Sequence, residues 1–177
     1  GGGLPMGLIG GRDDIMKLFS QKEQVRIAAI AAHTGDPMSV AASTACLNIM
    51  TADEIARINA NGEILATGIK SILDDVGIRG QVIGYGNHQS VHLTTDVEIV
   101  DPVVYATNAN APGLGQAMAL YRRSLMNKGV RTLENLMALK ISTPLSQNDI
   151  DTALAAMREG FIEIHPILKE VTPDLVS

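Results

Sequence analysis

Tryptophan is absent from the 177-residue sequence and aromatic residues make up only 3% of it, which excludes a core built mainly on large rings. Cysteine occurs once, at Cys46, so an intramolecular disulfide is excluded and nothing calls for an oxidising compartment. The expectation is a cytoplasmic protein in which Cys46 packs as a small apolar residue. No uninterrupted apolar run reaches the roughly 18 residues of a membrane span, and no charged segment leads into an apolar core, so a spanning helix and a signal peptide are both excluded. The expected chain is soluble, with no membrane partner. Basic charge is also scarce: 14 Lys+Arg stand against 19 Asp+Glu for a net charge of −5, and no window gathers cations enough to neutralise duplex phosphates. Nucleic acid is therefore excluded as a partner.

What is there is an ordinary globular composition, 46% apolar with 17 glycines and 7 prolines, which excludes intrinsic disorder. The opening Gly1-Gly2-Gly3-Leu4-Pro5-Met6-Gly7 feeds a turn with no element before it and reads as the middle of something longer. Eight methionines suit helix packing or a partner surface. The chain is expected to be incomplete or obligately assembled.

Along the sequence, Gly7-Leu8-Ile9-Gly10-Gly11 suggests a small strand or hairpin where backbone meets backbone. A short helix follows over Arg12–Phe19, with Ile15, Met16 and Phe19 on one face. Residues 25–32 are apolar apart from Arg26 and favour a strand leading into His33-Thr34-Gly35. Asp36-Pro37 is a helix start, because Asp can cap while Pro occupies a first position where its missing N–H costs nothing; that helix is expected to run to about Met50. Thr51-Ala52-Asp53-Glu54 forms a capping-box sequence. Ile55, Ile58, Leu65, Ile69, Ile72 and Val76 then recur at helical spacing until Gly77. Two β-prone runs, 81–84 and 89–95, flank Gly84 and Gly86 and predict paired strands. Residues 101–112 read as loop, Leu114, Met118, Tyr121 and Leu125 as a helix closed by Gly129, and 137–142 as a further strand. A last helix opens at Ser146-Gln147-Asn148-Asp149 and carries Ile150, Leu154, Met157, Phe161 and Ile164 on one face, with a tail from Pro166 expected to fray. The order predicts an α+β unit in which a small antiparallel sheet is covered by helices.

Residue chemistry alone gives no self-contained active site. The histidines stand at 33, 88, 92 and 165, and His88 and His92 share a strand face but lack the company of a metal set. Cys46 has no base beside it in the sequence to make it a nucleophile. The glycines at 1, 2, 3, 7, 10 and 11 match neither the dinucleotide fingerprint nor a Walker loop. His33-Thr34-Gly35 precedes a helix N-terminus, where free N–H groups and the dipole favour an anion, but Asp36 offers its own carboxylate to those donors.

The run Gly1–Gly7 with Gly10-Gly11-Arg12 and Asp14-Ile15-Met16 resembles the segment that follows the Schiff-base lysine in class III pyridoxal-phosphate aminotransferases, in particular the glutamate-1-semialdehyde aminomutase branch. His33-Thr34-Gly35 and Pro37–Ala42 resemble the family's His-Thr-Gly-Thr segment and the helix start after it. Looser likeness continues through Gln89-Ser90-Val91, Thr94-Thr95, Lys128-Gly129-Val130, and Ser142 to Asp151, so it covers nearly the whole chain. The resemblance implies an α/β protein of fold type I: residues 1–50 as the end of the large cofactor domain and 51–177 as the small C-terminal domain. It implies amino-group transfer on an amino acid or amino-aldehyde by the complete enzyme, a transferase or isomerase activity with pyridoxal 5'-phosphate as cofactor, and a homodimer. In the family the lysine lies three residues before the triple glycine, so no residue of this chain would carry the Schiff base, and the chain alone is expected to be inactive. His33, Thr34 and Gly35 are the implied cofactor-binding residues, reaching across the dimer interface; no metal is implied. The family's second Thr is missing, since Gly35 runs straight to Asp36-Pro37, and where the aminomutase has a Glu near its substrate this chain reads Leu136-Met137-Ala138-Leu139. Two other readings stay open: a truncated, non-catalytic assembly or binding module, and a racemase or decarboxylase on the same scaffold.

Overall fold

A computed structural model describes residues 1, 3–20, 27, 33–95, 113–132 and 138–177. The chain divides into two units, Gly1–Glu54 and Ile55–Ser177.

In the first unit, residues 7–11 are irregular backbone and not the strand or hairpin expected of them. Three glycines in five positions make extended backbone costly in entropy, and among the described residues no strand pairs with this segment. Helix α1 spans Asp13–Met16 and continues as a 3-10 turn over Lys17–Phe19. The strand expected over 25–32 lies outside the described residues, apart from Ile27. Helix α2, Pro37–Ile49, begins where the Asp-Pro pair places it, and the Asp36 side chain accepts a hydrogen bond from the Ser39 N–H at 2.8 Å. Its buried residues are Ser39 and Ser43 alone. Cys46, expected inside, is exposed, because the side of α2 that is covered is the serine side.

The second unit has the opposite character. Helix α3, Ala52–Val76, starts as the Thr51 hydroxyl accepts the Glu54 N–H at 3.2 Å. Ile58, Leu65, Ile69 and Ile72 are buried from the predicted stripe, while Ile55 is exposed. Gly77, with φ 73°, ends the helix in the left-handed region that favours glycine. Strands β1, Gly80–Tyr85, and β2, His88–Leu93, form a hairpin around Gly86-Asn87, and β3, Ala138–Lys140, pairs antiparallel with β2 to complete a sheet of order β1-β2-β3. Gln89, Val91 and Leu93 alternate inward along β2, as a half-buried strand requires. Gly62 of α3 lies directly against the hairpin turn, where a methyl group would overlap the Gly86 carbonyl oxygen. Asn59 Oδ1 accepts the Asn87 N–H at 3.0 Å, and Asn87 Nδ2 donates to the Ile141 carbonyl at 3.1 Å, so one turn is tied to a helix and to the residue just after the third strand.

Helix α4 is Leu114–Asn127 and α5 is Gln147–Val171. Ser146 and Asp149 form a reciprocal capping box at the start of α5. The two helices pack through Tyr121 and Phe161, whose rings stack with centroids 4.4 Å apart, and Gly160 leaves the space that the Tyr121 ring fills. The expected fraying from Pro166 does not occur. Helix α5 runs through the proline, Leu168 is fully buried, the Thr172 N–H bonds the Leu168 carbonyl at 2.7 Å, and Val176 forms an antiparallel bridge with Ile78. A buried leucine on either side of Pro173, Leu168 and Leu175, holds the tail down. The loop expected over 101–112 lies outside the described residues.

Candidate functional site

His33, Thr34 and Gly35 form a tight turn closed by the Asp36 N–H on the His33 carbonyl at 3.2 Å. Gly35 holds φ 75°, the conformation that the third position of a type II turn demands and that glycine adopts without strain. The turn and the start of α2 line a cleft of about 570 Å³ together with Pro5 to Ile9. Two segments that the sequence singled out, the glycine-rich opening and the His-Thr-Gly turn, therefore share one cavity within the first unit.

The electrostatics of this cleft are set by Asp36. The Ser39 backbone N–H, then the Ser39 hydroxyl, hold its carboxyl below the ordinary carboxylate range, so the group is charged at neutral pH. Pro37 has no N–H, the Ser39 N–H is bound to Asp36 Oδ2 and the Val40 N–H to the Asp36 carbonyl at 3.0 Å. The first turn thus offers at most the Met38 N–H, beside a fixed negative charge. A phosphate dianion placed there would meet repulsion and almost no donors. The N-terminus of α2 does not fit the phosphate of a pyridoxal cofactor.

The remaining candidates do not join the cleft. His88 is exposed and His92 half-buried on β2, where His92 Nε2 lies 2.8 Å from the Ser90 hydroxyl. Burial lowers the His92 pKa from its ordinary value. Among the described residues, no three His, Cys, Asp or Glu side chains gather as a metal set. None of the helices described is long and apolar enough to cross a membrane.

A second cavity, of about 780 Å³, escaped the sequence reading. It lies within the second unit between α3, the Gly129–Thr132 segment, β3 and the start of α5. Leu65, Leu139, Ile141 and Ile150 give it an apolar wall, and Arg131, Thr132, Lys140 and Asp149 its polar groups. No linear motif signals it, because its lining comes from four stretches of chain that only the fold brings together.

Similarity to known proteins spans nearly the whole chain, both units included. The chain is 29% identical over 166 residues to the glutamate-1-semialdehyde 2,1-aminomutase of Aquifex aeolicus, a match covering 93% of this chain and 37% of that one. The aminomutase of Methanosarcina acetivorans is 35% identical over 161 residues, covering 90% of this chain and 36% of that one. The chain is similar to these aminomutases over about nine-tenths of its own length. An omega-transaminase from Sphaerobacter thermophilus shares its fold with a TM-score of 0.80 at 22% identity, over 93% of this chain and 36% of that one. No family profile matches. The chain spans a little over a third of the length of the curated proteins it matches, and among the described residues its helix-rich fold with a three-stranded antiparallel sheet is the fold expected of it.

Proposed function

We infer that the chain supplies part of an enzyme that transfers an amino group on an amino acid or amino-aldehyde, with pyridoxal phosphate as the cofactor of the complete protein. The observation that carries this reading is the match to aminomutases over 93% of the chain, joined to the convergence of its glycine-rich opening and its His33-Thr34-Gly35 turn on one cleft. In this reading residues 1–50 close the cofactor domain, residues 51–177 form the small domain, and His33, Thr34 and Gly35 face the cofactor across a homodimer interface. They would contact it away from its phosphate, because the charged Asp36 beside α2 repels an anion. The protein works in the cytoplasm. The bound cofactor supplies the electron sink for the chemistry; the turn supplies shape and a hydroxyl.

The test isolates the complete protein containing this sequence from its native source and measures pyridoxal phosphate per chain, in the parent and in Thr34→Val and Gly35→Val variants. Cofactor content near one per chain, and a weaker hold on the cofactor in both variants, is the expected result. Cofactor retained equally by all three proteins would remove the turn from the site. A parent that takes up no cofactor would overturn the reading as a whole.

A further inference from the structure

We propose that the cavity in the second unit is a binding site for a small organic anion with an apolar body, of the class of a medium-chain or aryl carboxylate. This inference stands apart from the amino-transfer reading, because it rests on a different cavity and different side chains. The volume, about 780 Å³, falls in the range that encloses a compact organic ligand. Its wall includes Leu65, Leu139, Ile141 and Ile150, each at most 8% exposed, so the surface met by a ligand there is apolar.

Charge selects the head group. Arg131 and Lys140 both line the cavity and both are exposed, in a chain whose net charge is −5. Neither takes part in an ion pair among the described residues. The one carboxylate of the lining, Asp149, is already engaged: its Oδ2 accepts the Ser146 N–H at 2.8 Å and the Ser146 hydroxyl at 2.7 Å. Two uncommitted cations against one committed anion leave the mouth electropositive, and a guanidinium beside an ammonium suits a carboxylate.

A third observation is independent of both. Thr132 lines the cavity, is 8% exposed, and its Oγ1 is buried with no hydrogen-bond partner. Buried hydroxyls in native proteins are nearly always satisfied, and a ligand acceptor beside Thr132 would complete this one.

The test titrates the complete protein containing this sequence with decanoate and, in parallel, with decanol, which keeps the apolar body and removes the charge. Saturable binding of one decanoate per chain is expected, with decanol weaker by about tenfold or more, the scale of a lost charge-assisted contact. Arg131→Gln with Lys140→Gln, both exposed positions, should weaken decanoate by a similar factor and leave decanol unchanged. Should the double variant not fold, the salt dependence of decanoate binding to the parent carries the same information: affinity falls as salt rises. Absence of saturable decanoate binding, equal affinity for decanol, or binding indifferent both to salt and to the two substitutions would each overturn the proposal.

Discussion

Helices α2 and α5 show how differently the two units use apolar residues. In α5 they sit on one stripe, and Ile150, Met157, Phe161, Ile164 and Leu168 are buried against the rest of the second unit. In α2 they lie all round the helix, and Met38, Val40, Leu47 and Ile49 are exposed while two serines take the buried side. A helix apolar on every side is a helix made to be surrounded. The second unit thus carries a core of its own, whereas in the first, among the described residues, the large apolar side chains of α2 stay exposed. That difference accords with a chain spanning a little over a third of its relatives' length.

The most forceful way to break the comparison is to truncate one large apolar side chain in each unit. Phe161→Ala, which empties the stack with Tyr121, should cost about 3–5 kcal/mol, while Met38→Ala, at a 70% exposed position, should stay within about 0.5 kcal/mol. Urea unfolding of both variants measures the contrast, and equal losses would erase it. Gly62→Ala should rank next, at about 1–3 kcal/mol, because the added methyl meets the backbone of the Gly86 turn and cannot be relieved by a side-chain rotation. Thermal melts of this variant beside Gly115→Ala, where a methyl meets open space, separate crowding from any general effect of the substitution.

A smaller loss, about 1 kcal/mol, is expected for Ser146→Ala, which opens the capping box of α5. Tyr121→Phe should do the reverse. The Tyr121 hydroxyl is buried without a partner, and burial pushes its pKa up; removing it should leave stability unchanged or raise it by up to about 1 kcal/mol. The least effect is expected from pH. The Ser146 hydroxyl, followed by the Ser146 N–H, holds the Asp149 carboxyl below its ordinary value of 3.8. The group's stabilising contribution is present above that value and is lost as pH falls through the lower folded one. Acid melts of Asp149→Asn should therefore be flatter than the parent's below about pH 4, by a small margin that salt diminishes further.

What the sequence made legible follows from range. Local signals gave α2, α3 and α5 their starts: Asp36-Pro37, the Thr51 hydroxyl and the Ser146–Asp149 box each act within three residues, and the structure holds each bond. The β1–β2 hairpin was legible for the same reason, with Gly86 between two β-prone runs, although Gly84, also expected in the turn, pairs with Gln89 inside β1. The tail beyond Pro166 was not, because what anchors it is Ile78, on the far side of the unit's sequence, paired with Val176. Cys46 was misjudged because an apolar helix says which residues want burial and not which side obtains it. Of the candidate site, the turn at His33 and the glycine-rich opening could be picked out by motif, but their common cleft could not, and the cavity at Thr132 left no mark in the sequence at all.

Amino-group transfer itself is the measurement that bears most directly on the account. The complete protein carrying this sequence, isolated from its native source and supplied with pyridoxal phosphate, is given an amino acid labelled at nitrogen together with an unlabelled keto or amino-aldehyde acceptor, and the products are read by mass spectrometry. The account predicts label moving to the acceptor, in step with cofactor content and reduced in the Thr34→Val variant. Cofactor-loaded protein that moves no label to any acceptor of these classes would contradict it.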